Sequence, residues 1–120
     1  MSAETDLRAL LAGHAGVAAL VGNNIAHNAI GSPTPPPYVV FTCSHTPVLG
    51  LDSAMLVDQC LFSVQCWGKT AANAEAVADA VQAALATAPA ARGVATTARA
   101  SGYDDELGFD ATILTVEWWA

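Results

Sequence analysis

The residues of this chain with types suited to chemistry are three cysteines and three histidines. Cys60 and Cys66 stand six positions apart, and Cys43 precedes His45 by two. Thiols and imidazoles can form a disulfide, hold zinc, or act together as a nucleophile and its base. Which of these three roles the spacing allows depends on the strands and helices that hold these residues.

A disulfide between Cys60 and Cys66 is not expected. Residues 57–67 are rich in apolar, β-branched and aromatic residues and predict a strand that contains both cysteines. Six residues of one straight strand span about 20 Å, because each residue adds about 3.3 Å. A disulfide requires Cα atoms within about 7 Å of each other. Three cysteines without a framework spacing also favour a reducing compartment.

Zinc binding and nucleophilic catalysis are also disfavoured by the spacing. A zinc site needs at least one pair of ligands two to four residues apart. The chain offers only Cys43-x-His45, with His14 and His27 distant in sequence. For a nucleophile, Cys43 or Cys66 would use His45 as base, but no orienting third group lies near in sequence. The favoured interpretation is buried thiols that behave as small apolar residues, so we expect no metal, cofactor or catalytic residue.

The amino-terminal third predicts helix followed by an irregular region. Positions 7, 10 and 11 carry leucines at helical spacing, and His14 extends that face, where we expect a packed and hydrogen-bonded imidazole. Gly13 and Gly16 should end or kink this helix. A short apolar piece "VAALVG", a short strand in "NIAHNAI" and an extended proline loop "GSPTPPP" follow.

The rest of the chain predicts two pairs of strands around one helix. Residues 38–46 and 57–67 alternate as strands, and Thr70 is a plausible cap for a helix that ends near Thr87. "VATTARASGY" and "FDATILTVEWW" predict two more strands around an acidic turn. The core face of the second strand should hold Cys60, Phe62, Val64 and Cys66. We therefore predict one α+β domain over residues 1–120, with two helices on one face of a mostly antiparallel sheet of about four strands.

Composition narrows the function. Hydrophobic residues make up 53% of the 120 residues and charged residues 12%, so the chain should fold. Its formal net charge is −7 with four Lys plus Arg, which disfavours direct nucleic-acid binding. The acidic start "MSAETDLRALLAGHAG" predicts no export signal, and no apolar run approaches the length of a membrane span. A soluble protein without a membrane partner is expected.

The tryptophans indicate a surface for assembly. Trp118 and Trp119 must point to opposite faces of one strand, so both cannot enter the same core. One of them, together with Trp67, is a candidate for a contact between subunits, because aromatic residues are enriched there. The alternative is that the second tryptophan packs under a helix.

The order of these features resembles a known family. The segments are "LRALLAGHAGVAALVGNNIAHNAI", "PYVVFTCSHTPVLGLDSAM", "CLFSVQCWGKTAANAEAVADAVQAAL" and "YDDELGFDATILTVEWWA". Together they are similar to the tail-completion family of long-tailed bacteriophages, also called tail terminator or minor tail proteins. The resemblance covers residues 7–119 and is one of pattern and order, without a catalytic motif.

The resemblance implies an α+β subunit of a homo-oligomeric ring, usually of six. In the virion the ring would lie at the head-proximal end of the tail tube after assembly in the host cytoplasm. Its partners would be other copies, the major tail tube protein and the head–tail connector, and DNA would only pass through. The ring would stop tube polymerisation and present the surface for head–tail joining. Alternatives are a head-side connector of the neck and, in another class, a small-ligand-binding module or thiol enzyme.

Candidate residues for the assembly interface or the lumen come from three segments. They are the loop after the first strand, the acidic turn and the outward tryptophans. An acidic lumen would repel phosphates and let DNA slide. The set is Leu49, Leu51, Asp52, Met55, Trp67, Asp104, Asp105, Glu106 and Trp119.

Overall fold

The computed structural model describes residues 3–22, 24–27, 37–49, 55–88, 93–104 and 108–119. Within these ranges the chain forms three helices and five strands. In chain order they are α1 (Ala3–Ala12), α2 (Ala15–Val21), β1 (Ile25–His27), β2 (Tyr38–Leu49), β3 (Met55–Gly68), α3 (Ala71–Leu85), β4 (Ala95–Asp104) and β5 (Phe109–Trp119).

The five strands form one sheet in the order β1-β2-β3-β5-β4. The pairs β2–β3, β3–β5 and β5–β4 are antiparallel. The edge strand β1 runs parallel to β2. The predicted α+β class and mostly antiparallel sheet are confirmed. The short segment "NIAHNAI" adds β1 as a fifth strand, and "VAALVG" contributes to a third helix, α2.

The first two helices are separated at Gly13 and His14. Gly13 donates its backbone N–H to the carbonyl of Ala9 at 2.9 Å, which closes the last turn of α1. His14 then has extended backbone angles and is the N-cap residue of α2. The prediction that His14 extends the apolar face of the first helix is wrong, because the helix ends before it. Its Nδ1 is buried and has no hydrogen-bond partner among the described residues.

Helix α3 lies on the sheet through small residues. Thr70 caps it, since its Oγ1 accepts a hydrogen bond from the Asn73 backbone N–H at 3.1 Å. The approach is close: a Cβ added to Gly68 would stand 2.4 Å from the backbone nitrogen of Ala74. The buried stripe of α3 is Ala74, Val77, Ala78, Val81, Ala84 and Leu85. None of the helices in the described ranges is long and apolar enough to cross a lipid bilayer.

The core lies between the three helices and one face of the sheet. Leu7 and Leu11 of α1 pack there with no exposed surface. Phe62 is edge-to-face with Phe41 at 5.9 Å and with Trp118 at 6.1 Å between ring centroids. The predicted core face of the second strand is confirmed, because each of its four residues is fully buried: Cys60, Phe62, Val64 and Cys66.

Candidate functional site

The β2–β3 hairpin extends past the rest of the sheet. β1 pairs with β2 at residues 39–41, and β5 pairs with β3 from Gly68 back to Gln59. β2 and β3 continue beyond that point as a pair, from Thr46 opposite Gln59 to Leu49 opposite Met55. We call residues 46–58 the arm. A two-stranded hairpin is marginally stable alone in water.

The arm end of the sheet holds one group of predicted interface residues. Leu49 and Met55 are register partners on the arm. Leu51 and Asp52 fall between them and lie outside the described residues. Trp119 is at the base of the arm, where it pairs with Gln59. Leu49, Met55 and Trp119 therefore belong to the same end of the sheet.

The opposite end holds the second group, and we call it the turn end. Asp104 closes β4 opposite Phe109, and Asp105 and Glu106 come next in sequence, outside the described residues. Between Ala95, the first residue of β4, and Asp104 the strand runs roughly 30 Å at about 3.3 Å per residue. The described members of the predicted set thus form two groups at opposite ends of the sheet, with Leu49, Met55 and Trp119 at one end and Trp67 and Asp104 at the other.

Trp67 belongs to the turn end and is held by its neighbours. It stacks on Tyr38, with ring centroids 6.2 Å apart. Its Nε1–H donates a hydrogen bond to Gln65 Oε1 at 3.2 Å. Tyr103, two strands away in β4, is 60% exposed. Aromatic rings with one wet edge are common in protein interfaces.

The last two tryptophans point to opposite faces of β5, as predicted. Trp118 is 2% exposed and belongs to the helix-covered core. Its Nε1 is buried and lacks a hydrogen-bond partner among the described residues. Trp119 is half-buried and packs against Gly93, where an added Cβ would stand 2.8 Å from the ring. Trp119 is therefore the tryptophan of this pair that lies nearer the surface.

A polar cluster joins the arm to the body of the protein. Cys43 and His45 lie on β2, and His45 pairs across the hairpin with Cys60 of β3. His45 Nδ1 stands 3.3 Å from Cys60 Sγ, and His45 Nε2 stands 2.5 Å from Glu4 Oε1 of α1. The carboxylate can only accept a hydrogen bond, so His45 Nε2 donates to it.

The cluster has the geometry of a nucleophile, base and orienting acid, but its thiols are poorly suited to that role. Burial, aided by the nearby Cys60, raises the pKa of the Cys43 thiol to about 12. Outside the cluster, burial also raises the pKa of the Cys66 thiol to about 12. The thiolate is the nucleophilic form, and it is scarce at neutral pH for such groups. The hydrogen bond with His45 lowers the pKa of Glu4 from its ordinary value.

Sequence reasoning missed Cys60 and Glu4 as neighbours of His45. Cys66 lies elsewhere, opposite Val39 and Thr112, so it does not meet His45. The signal for Cys60 is the symmetry of a hairpin, since paired residues are equally far from its tip. The midpoint in sequence between His45 and Cys60 falls between residues 52 and 53. Glu4 is 41 residues from His45 and has no comparable signal in the sequence.

Comparison with known proteins identifies the family. A family model described as Tail completion protein gp17 matches residues 5–120. A comparison with curated proteins finds no match. Among solved structures, a chain described as "Virion of native gene transfer agent (GTA) particle" is similar, with a TM-score of 0.76 and 20% sequence identity. The alignment covers 98% of this chain and 93% of that chain, which shows a common fold. Because the family match spans nearly the whole sequence, the chain belongs to the family of the tail completion protein gp17, a structural family of phage tails.

Proposed function

We propose that this protein closes the head-proximal end of a phage tail tube as a homo-oligomeric ring. The ring stops tube polymerisation and provides the surface for joining the head. The protein acts through its surfaces, without a catalytic step. The observation that carries this proposal, together with the family, is the arm that extends past the five-stranded body at one end of the sheet.

A ring that joins two different partners needs two different ends. In this fold the arm end carries Leu49, Met55 and Trp119, and the turn end carries Trp67 and Asp104. The ends are roughly 30 Å apart along the strands, so tube and head proteins could bind without competing. Rings also require two unlike lateral faces on each subunit, related by a rotation that closes.

The arm supplies a means of contact between subunits or with the tube. Within the described residues, the outer edge of β2 after Phe41 and that of β3 before Gln59 have no neighbouring strand. Such edges present backbone N–H and C=O groups that can pair with a strand of another chain. We assign the arm, with Leu51 and Asp52 between its two strands in sequence, to such a contact.

The charge balance fits a conduit for DNA. The net charge is −7, and acidic side chains repel the phosphates of a passing duplex. We place Asp104, Asp105 and Glu106 at the lumen or at the tube. Replacing all three by serine should alter tail length or infectivity. Unchanged tails and titre would contradict this placement while leaving the ring itself in place.

The test of the proposal is complementation of a phage or phage-like particle that lacks its own copy of this gene. The double variant Leu49→Asp, Met55→Asp places two charges on paired positions of the arm. We expect tails of irregular length, visible by electron microscopy, and few joined particles. Ala83→Glu is the control, since it adds a charge to an exposed position of α3.

Three results would contradict the proposal. One is normal tails with the arm variant, and another is an equal loss with Ala83→Glu. The third concerns particles that lack the gene altogether. If they make complete tails that only fail to join heads, a head-side connector of the neck would be favoured. Circular dichroism of both purified variants verifies that they fold.

A further inference from the structure

We propose that Cys43, Cys60 and His45 bind a zinc ion at the base of the arm, with Glu4 orienting the imidazole. This site is independent of the ring and its partners. It uses residues from both strands of the hairpin and from α1. The cluster described above would then tie three elements together at one point.

The strand geometry brings the three ligands to one place. Cys43 and His45 are two residues apart on β2, so their side chains share a face. Cys60 is the register partner of His45 and projects from the same face of β3. The two sulfur atoms and one ring nitrogen all lie within 4.8 Å of one another.

These distances are close to those of a zinc site. Zn–S bonds of about 2.3 Å and Zn–N bonds of about 2.0 Å set the ligand atoms of a tetrahedron about 3.5 to 3.8 Å apart. The distance between His45 Nδ1 and Cys60 Sγ is 3.3 Å. Small side-chain rotations would therefore suffice to surround the ion, without a change of backbone.

Glu4 gives an independent reason for this assignment. A histidine that binds a metal usually donates its other ring N–H to a carboxylate, which fixes the ring and its tautomer. His45 Nε2 donates to Glu4 Oε1 at 2.5 Å, which leaves the Nδ1 lone pair directed at the thiols. Glu4 is a positioning residue in this arrangement, because it acts through His45.

The type and exposure of the ligands favour zinc. Thiolates and imidazole select zinc over magnesium or calcium, which prefer oxygen ligands. Cys60 is fully buried, and the His45 side chain is 41% exposed, so the site is shielded from water on the Cys60 side and open to solvent on the His45 side. Zinc would displace one proton from each thiol to solvent, and water would take the fourth position.

A disulfide between Cys43 and Cys60 fits the strands less well. His45, not Cys43, is the direct partner of Cys60, so the two cysteines are diagonal neighbours. Diagonal neighbours on adjacent strands are about 7 to 8 Å apart, beyond the usual range for a disulfide. A metal ion bridges such a gap without moving the backbone.

Cobalt and zinc titrations of the reduced full-length chain test the site. We expect one equivalent of cobalt per chain, with the visible d–d bands of a tetrahedral ion and a thiolate-to-cobalt charge-transfer band. Zinc should displace the cobalt and raise the melting temperature. Cys43→Ser should abolish the charge-transfer band or weaken it markedly, and Cys66→Ala is the matched control because Cys66 lies outside the cluster.

Glu4→Gln separates positioning from binding. We expect it to keep one equivalent of metal and to lower affinity about 10- to 100-fold, as loss of a partner of a ligating histidine does. The inference is overturned if the reduced protein shows no thiolate-to-cobalt band. It is also overturned if Cys43→Ser binds as tightly as the unaltered chain, or if Cys66→Ala loses binding equally. Circular dichroism confirms that each variant compared is folded.

Discussion

Two parts of a single strand, β3, behave differently. From Gln59 to Trp67 the strand is paired on both sides, and α3 packs over its inner face. From Met55 to Asp58 it belongs to the arm and pairs with β2. The first part is stabilised by burial within the chain, while the second has β2 as its one neighbouring strand among the described residues. We therefore expect stability to come from the body, and the proposed contact with other chains to come from the arm.

The largest effect should come from removing the aromatic centre of the body. Phe62→Ala should lower the free energy of unfolding by about 3 to 5 kcal/mol, because it leaves a cavity between the Phe41 and Trp118 rings. Urea unfolding followed by circular dichroism measures this loss. Leu61→Ala is the matched control one position away, on the open face where Leu61 is 43% exposed. A similar loss in the two variants would contradict the assignment of stability to the helix-covered face.

A smaller effect on stability should come from the junction between the body and the arm, where Glu4 meets His45. The lowered pKa of Glu4 means that its stabilising contribution is present above its unfolded value of 4.5. That contribution is lost as the pH falls through the lower folded-state pKa. Glu4→Gln should therefore lower the free energy of unfolding by about 0.5 kcal/mol near neutral pH, as expected for a partly exposed pair.

The pH dependence provides the check on that junction. The stability difference between Glu4→Gln and the unaltered chain should shrink as the pH falls below 4.5. Glu75→Gln, an exposed change on α3, is the control for the loss of one carboxylate. These measurements are made with a metal chelator present. A constant difference across the acid range would show that the carboxylate of Glu4 is not the cause.

The smallest effect on stability should come from removing the arm. Residues 47–58 can be replaced by Asn-Gly, which joins Thr46 to its partner Gln59 through a short hairpin turn. We expect the melting temperature to change by less than about 2 °C, equivalent to less than about 0.5 kcal/mol for a domain of this size. Calorimetry with chelator present measures it. A loss of cooperative melting would show that the arm is part of the folding unit.

The body was largely predictable from the sequence, because its pattern follows burial. Alternation identified both long strands of the hairpin, and β2 and β3 extend past the predicted ends by a few residues. The Thr70 cap and the small-residue stripe identified α3, since capping and helical spacing are local signals. The prediction that His14 extends the face of the first helix was wrong because α1 ends at Ala12. The sequence does not show whether a glycine such as Gly13 ends a helix or continues it.

The two-ended arrangement of the candidate residues was not predictable with the same ease. Leu49 and Asp104 were both candidates for the assembly interface or the lumen, and the antiparallel order β2-β3-β5-β4 sends them to opposite ends of the sheet. Strand order depends on contacts between residues distant in sequence, which a local pattern does not contain. The family resemblance indicated the fold without indicating which surface each residue occupies.

The sequence by itself determined the α+β class, the core face of β3 and the family of the chain. These properties depend on local propensity, on the period of apolar residues and on the order of the segments. Only the tertiary structure decided that Cys43, His45 and Cys60 meet at the base of the arm, and that Glu4 reaches His45 from α1. Such proximity is set by hairpin register and by the packing of a helix on a sheet. Both bring together residues that no spacing along the chain connects.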